Sequence, residues 1–204
     1  MKTTKIVSNL LDSNVFIVEK DNHCLIIDCG VEVDVIKHLV GSQVVDGVLL
    51  THGHFDHSAH CNEYAKLFNT KIYASEKIKE TLTDKDAIYS EDKTIIDDFS
   101  NFIFIKEDCK LNLGDFEIEC FSAEGHSPCC ECYKIGDTLF AGDVLFENGI
   151  GRVDLIGSSK NDMIDSLGKL EHISYDKVLS GHGEESNKEK QRKNLTIYKR
   201  FLTR

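Results

Sequence analysis

The sequence predicts a mixed fold, α/β or α+β, with two sheets and helices on their outer sides. Three observations predict it. Apolar runs of strand length recur along the chain, separated by stretches of helical periodicity. Their order is strands, helix, strand, helix, strands again, then helix. Turns fall to Gly, Asn and Asp, because the chain holds 14 Gly and a single Pro, Pro128.

Val15 to Val18 and Cys24 to Asp28 read as an opening hairpin, with Lys20-Asp21-Asn22 as its turn. Val33 to Val40 reads as a helix with Val33, Ile36, Leu39 and Val40 on one face. Gly47 to Thr51 is a short buried strand, Ser58 to Phe68 a helix, and Lys71 to Ala74 the next strand. Glu76 to Ser100 is helix-like, charged and placed to cover a site. Phe102 to Ile105 and Phe116 to Ser122 read as strands of a second sheet. Tyr133 to Ile135 and Thr138 to Ala141 flank Gly136-Asp137, a hairpin signal. Lys160 to Leu170 is a helix capped by Ser158 or Ser159. Lys177 to Leu179 is a strand, and Glu185 to Leu202 a closing amphipathic helix with Leu195, Tyr198 and Leu202 on its stripe.

The 204 residues suit one domain, 1–204, with a proper core, and the 41% hydrophobic and 29% charged content is that of a globular protein. A net charge of -11 argues against a nucleic-acid binder, which needs a basic face, and points to a small-molecule substrate. No stretch is apolar enough to span a bilayer, and Met1 to Leu11 lacks the apolar core of a signal peptide. The expectation is a cytoplasmic enzyme without a membrane partner; the sequence leaves its oligomeric state open. Eight Cys occur, but only Cys129-x-x-Cys132 has knuckle spacing. They are expected to be reduced, packed thiols, with Cys129, Cys130 and Cys132 as the one cluster where a redox or metal role competes.

The chemistry concentrates in Thr51-His52-Gly53-His54-Phe55-Asp56-His57, a loop that follows a strand. His-x-His in extended backbone puts two imidazoles on one side. Asp56-His57 then leads into a helix and can point at a second centre. Gly125-His126, Gly142-Asp143 and Gly181-His182-Gly183 each follow a strand, and Gly lets backbone approach a bound ion closely. Five His and two Asp at strand ends beside Gly are hard to explain by packing, and imidazole with carboxylate suits zinc or another borderline metal. His23, His38, His60 and His172 lie outside these turns and are read as ordinary surface or core residues.

The order His-x-His-x-Asp-His, then His, then Asp, then Gly-His-Gly resembles the metallo-β-lactamase superfamily, from Asp28-Cys29-Gly30 through His182. Gly125-His126-Ser127-Pro128, Leu139-Phe140-Ala141-Gly142-Asp143-Val144-Leu145-Phe146 and Gly149-Ile150-Gly151-Arg152-Val153-Asp154-Leu155 are similar to glyoxalase II (hydroxyacylglutathione hydrolase) and its short relatives. The resemblance implies the αββα four-layer sandwich of the metallo-β-lactamase fold. It implies a first metal on His52, His54 and His126, a second on Asp56, His57 and His182, and Asp143 bridging both. The cofactors are then two divalent ions, zinc first, with iron or manganese as alternatives. The implied reaction is hydrolysis of a thioester of the hydroxyacylglutathione type by a hydroxide held between the metals and oriented by Asp56. Arg152 stands where glyoxalase II carries a basic residue near the glutathione carboxylate; an ion pair with Asp154 is the competing reading. Two other activities of the superfamily use overlapping ligands, a mononuclear-iron persulfide dioxygenase and a lactonase. The chain departs from glyoxalase II in having Cys129-Cys130 where Gly-Ser is usual. With 22 residues after His182, it is also expected to lack the separate helical C-terminal substrate domain.

Overall fold

A computed structural model describes residues 1–92 and 94–203. The chain opens with three antiparallel strands, β1 (Lys2–Val7), β2 (Asn14–Lys20) and β3 (His23–Ile27). Helix α1 (Val33–Val40) carries it to β4 (Val44–Leu49), parallel to β3. Helices α2 (Phe55–Ser58) and α3 (Cys61–Phe68) lead to β5 (Ile72–Ser75), and α4 (Ile78–Thr83) precedes β6 (Phe102–Ile105). These six strands form one sheet in sequence order.

The second sheet begins with the meander β7 (Lys110–Leu113), β8 (Phe116–Ser122), β9 (Glu131–Ile135) and β10 (Thr138–Gly142). A small hairpin, β11 (Leu145–Phe146) with β12 (Gly149–Ile150), precedes α5 (Lys160–Glu171). Strand β13 (Lys177–Ser180) returns parallel to β10; β14 (Ser186–Asn187) and α6 (Lys188–Leu202) finish the chain. The order is β14-β13-β10-β9-β8-β7.

Alternation within the strands explains why this is four layers. In β2, Val15 and Ile17 join α1, α3 and α4 in one core, while Phe16 and Val18 join a second core between the sheets. In β10, Phe140 faces that middle core, and Leu139 and Ala141 pack under α5 and α6. Strands buried on both faces read as unbroken apolar runs, and the three cores are the three interfaces of helix, sheet, sheet and helix. Among the described residues, no helix is long and apolar enough to cross a membrane.

The structure corrects four readings of the sequence. Phe102–Ile105 pairs parallel with β5, so it is an edge strand of the first sheet and not part of the second. The helix expected over Ser58 to Phe68 is two helices, separated at Ala59 and His60. Leu39 is 42% exposed and leaves the α1 stripe to Ile36 and Val40. Ser159 alone caps α5, its side chain accepting from the Asp162 backbone N–H at 3.2 Å. The sequence reading passed over the polar strand β1, the short β7 and the two-residue strands, whose patterns carry little apolar signal.

The sheets are tied together at one edge. Asn14 N–H donates to Gly181 O at 2.6 Å and Glu131 N–H to Thr51 O at 2.8 Å from one sheet to the other, and Gly181 N–H donates to Gly142 O at 2.7 Å within the second sheet. That edge is where β4, β8, β10 and β13 all end, and it carries the chemistry.

Candidate metal centre

Beyond β4 the chain bends at Thr51 and is extended at His54 (φ -64°, ψ 147°), just before α2 begins. His52 and His54 come together there, with Nε2 of one 3.0 Å from Nδ1 of the other. The turn of α2 swings the next two side chains to a neighbouring point, where His57 Nε2 lies 3.2 Å from Asp56 Oδ2. The remaining candidates come from the second sheet: His126 after β8, Asp143 after β10, His182 after β13.

All seven sequence-predicted residues meet, and they meet as two groups. His126 Nε2 stands 3.1 Å from His54 Nδ1, completing His52, His54 and His126. His182 Nε2 stands 3.2 Å from both His57 Nε2 and Asp56 Oδ2, completing Asp56, His57 and His182. Asp143 lies between them. Its Oδ2 is 3.4 Å from His126 Nε2 and 3.4 Å from His182 Nε2, and its Oδ1 is 3.5 Å from His57 Nε2.

The outer hydrogen bonds settle which nitrogen carries a proton. His126 Nδ1 faces the Arg152 carbonyl at 3.1 Å; a carbonyl only accepts, so Nδ1 is protonated and Nε2 presents a lone pair. His57 Nδ1 donates to Asp28 Oδ2 at 2.9 Å, with the same consequence. The Thr51 hydroxyl gives its proton to Asp28 Oδ2 at 2.8 Å and so accepts from His52 Nδ1 at 3.1 Å. Lone pairs and carboxylate oxygens thus converge on two points. Asp143 Oδ1 is buried without a hydrogen-bond partner. Three neutral nitrogens on one side, two nitrogens and a carboxylate on the other, and a shared carboxylate fit a pair of borderline divalent ions.

Electrostatics separate the two groups. Burial, reinforced by neighbouring imidazoles, pushes His52 well below the ordinary histidine range and His54 down to about 3. Burial also lowers His126. In the second group burial opposes charge on His57, but Asp56, Asp143 and Asp28 outweigh it and hold the imidazole well above its usual value. Burial likewise opposes His182, yet its hydrogen bonds to Asp143 and Asp56 lift it to about 9. Burial disfavours ionised Asp56 and Asp143, but His57 overcomes this and both carboxyls are lowered. The carboxylates stay available as ligands.

Several supporting residues escaped the sequence reading. Asp28 accepts from Thr51 N–H, Thr51 Oγ and His57, on a backbone in the left-handed region (φ 64°). Its signal was an acid ending an apolar strand. Close approach is a second requirement: a Cβ on Gly181 would lie 2.1 Å from Asp143 Oδ1 and 2.8 Å from His57 Cε1. Gly181→Ala is therefore expected to weaken metal binding by about tenfold or more, on the scale of damage to groups that orient ligands. Competition titration against a chelator checks this; wild-type affinity in the variant would show that the strand end gives way.

Arg152 has a 68% exposed side chain and pairs with Asp154 through Nε at 2.9 Å and Nη2 at 3.0 Å. The cysteines of the 129–132 segment separate. Cys129 packs in the first helix-side core, 3.2 Å from Ser127 Oγ, while Cys130 and Cys132 enter the other helix-side core. Burial pushes all three thiols up. No cysteine belongs to a metal-holding group among the described residues.

Two cavities flank the centre. One of about 410 Å³ lies against Asp56, walled by Leu10, Leu11, Phe55 and Tyr89. Another of about 340 Å³ lies against His182 and Phe146. A larger cavity, about 720 Å³, sits beside Lys77 and Ile105, and no metal-site residue lines it. The smaller two touch the convergent polar groups.

Comparison with known proteins gives the same frame. The family described as the metallo-beta-lactamase superfamily matches residues 8–182. A probable metallo-hydrolase of Bacillus subtilis, YqgX, is 32% identical over 195 residues, covering 92% of each chain. A hydroxyacylglutathione hydrolase of Buchnera aphidicola is 30% identical over 176 residues, covering 85% of this chain and 62% of its own. The crystal structure of the B3 metallo-beta-lactamase BLEG-1 superposes with a TM-score of 0.85 at 23% identity, covering 97% of this chain and 99% of its own.

Proposed function

The chain belongs to the metallo-beta-lactamase superfamily, and from that premise we propose that it is a two-metal hydrolase acting on a thioester of the hydroxyacylglutathione type. The observation that carries this reading is the pair of ligand groups sharing Asp143. His52, His54 and His126 would hold one ion, Asp56, His57 and His182 the other. Bound metals of this kind supply an acidified water at neutral pH and Lewis-acid stabilisation of a developing oxyanion.

The chain's own residues do the rest. His57 keeps Asp56 ionised despite burial, and Asp56 would accept a hydrogen bond from the attacking water. The carbonyls and carboxylates behind His126 and His57 fix those rings, so the donor geometry is preorganised. A thiolate leaves without help from an acid, since thiols ionise near pH 8.5. The thioester is supported by the Gly125 to Pro128 and Leu139 to Leu155 motifs and by the Buchnera relative. Arg152 would serve a substrate carboxylate only by exchanging its Asp154 partner, so Arg152→Ala should raise KM with metal content unchanged.

Purified protein assayed side by side with S-lactoylglutathione, a lactone and a persulfide tests the reading. Hydrolysis of the thioester ahead of the lactone is the expected result. Oxygen consumption on the persulfide with one iron per chain would replace it with the dioxygenase reading.

A further inference from the structure

We propose that Tyr89 is a positioning residue for the first metal site, the face of its ring receiving the Nε2–H of His54. The inference rests on the metal-centre reading above. It begins from an accounting of imidazole protons. A metal-binding histidine needs a partner for its second nitrogen, which fixes tautomer and orientation. His52 has Thr51 Oγ, His57 has Asp28, and His126 has the Arg152 carbonyl. His54 is 5% exposed, its Nδ1 faces the other two ligands, and its Nε2 is buried with no nitrogen or oxygen partner.

Among the described residues, the one aromatic ring against His54 other than its fellow ligands is Tyr89. The centroids are 5.2 Å apart and the planes cross at 80°, the edge-to-face arrangement in which a polar N–H meets a π cloud. The ring is held from both sides. The preceding Ile88 is fully buried in the helix-side core, and its carbonyl accepts from Phe55 N–H at 2.7 Å, next to His54. The Tyr89 hydroxyl accepts from Ile156 N–H at 2.7 Å. Tyr89 itself sits in the left-handed region (φ 57°), where a bulky residue is strained and persists only when its surroundings over-determine it.

The clasp reaches two ligands at once. Through its ring it orients His54. Through Ile156 it ties down the loop whose Arg152 carbonyl orients His126. In the second site His57 is oriented by Asp28 and the 28% exposed His182 side chain makes no contact with Tyr89, so a defect at Tyr89 should fall on the first ion.

The test is stepwise metal titration of the metal-free protein against a competing chelator, with Tyr89→Phe and Tyr89→Leu. Tyr89→Leu is expected to weaken the first site about 10–100-fold and leave the second within about threefold. Tyr89→Phe keeps the ring and should restore most of the affinity. Proton–nitrogen NMR of zinc-loaded wild-type protein supplies a readout independent of any variant. The His54 Nε2–H, held over an aromatic face, should resonate upfield of the Nδ1–H of His57 and His126. Wild-type first-site affinity in Tyr89→Leu, equal losses in both variants, or an unshifted His54 proton would each overturn the assignment. Wild-type protein that binds no ion at all would instead bring down the metal-centre reading beneath it.

Discussion

Asp143→Ala is expected to remove thioester hydrolysis, with kcat/KM falling by roughly 10⁴-fold or more. The magnitude follows from what a metal pair supplies: a nucleophile whose pKa drops from about 15.7 toward 7. Asp143 is the one carboxylate within 3.5 Å of nitrogens from both groups. Its removal leaves the Nε2 atoms of His57 and His182 with Asp56 as their shared carboxylate and takes from His126 the carboxylate 3.4 Å from its Nε2. Metal content should fall from two ions per chain to one or none, while the far-ultraviolet spectrum stays unchanged. Asp143→Asn, which keeps the shape and loses the charge, should retain partial metal binding. Substantial hydrolysis in Asp143→Ala would mean that one ion suffices and the shared carboxylate is structural.

Glu131→Leu is expected to stabilise the protein, increasingly so as pH rises. Glu131 is 1% exposed, and neither carboxylate oxygen has a hydrogen-bond partner. Burial pushes its carboxyl up to about 8 from 4.5, with Asp108 adding to the rise. A group whose folded pKa is raised holds a proton that the unfolded chain has already released. Stability therefore falls with pH between about 4.5 and 8, and the loss is complete above that window. At ~1.4 kcal/mol per unit the ceiling is about 5 kcal/mol, and relaxation of the site brings the expected gain nearer 2–3 kcal/mol. For a chain this size that is a rise in Tm of roughly 5–10 °C at pH 8. The gain should shrink to the packing contribution alone below pH 5. A Tm difference independent of pH would show that Glu131 finds a partner or water in the folded state.

The site was more legible than the fold around it. His52, His54, Asp56 and His57 are contiguous, and Gly beside His126, Asp143 and His182 marks places where backbone must come close; Gly181, packed onto Asp143 Oδ1, shows why. Strands buried on both faces, such as β2 and β10, announce themselves as apolar runs. Which sheet an apolar run joins is a long-range fact: Phe102–Ile105 looks alike whether it pairs with β5 or β8. β1 is hydrogen-bonded to β2 along its whole length yet mostly exposed, so backbone pairing holds it in place and leaves no apolar pattern to read. The partners of Asp28, which the resemblance marks only as a motif residue, and the inferred role of Tyr89 escape the sequence for another reason. Both depend on which nitrogen of a distant imidazole needs a partner, and no spacing in the chain records that. Cys129, Cys130 and Cys132 looked like a cluster because they are close in sequence, but the turn before β9 puts Cys129 in one helix-side core and Cys130 and Cys132 in the other.

Metal quantification on the purified protein, coupled to activity during stepwise reconstitution, bears most directly on the two-metal account. The account predicts two divalent ions per chain, loss of thioester hydrolysis on chelation, and full recovery only as the second equivalent is returned. Full activity in metal-free protein, or saturation of activity at one ion per chain, would contradict it.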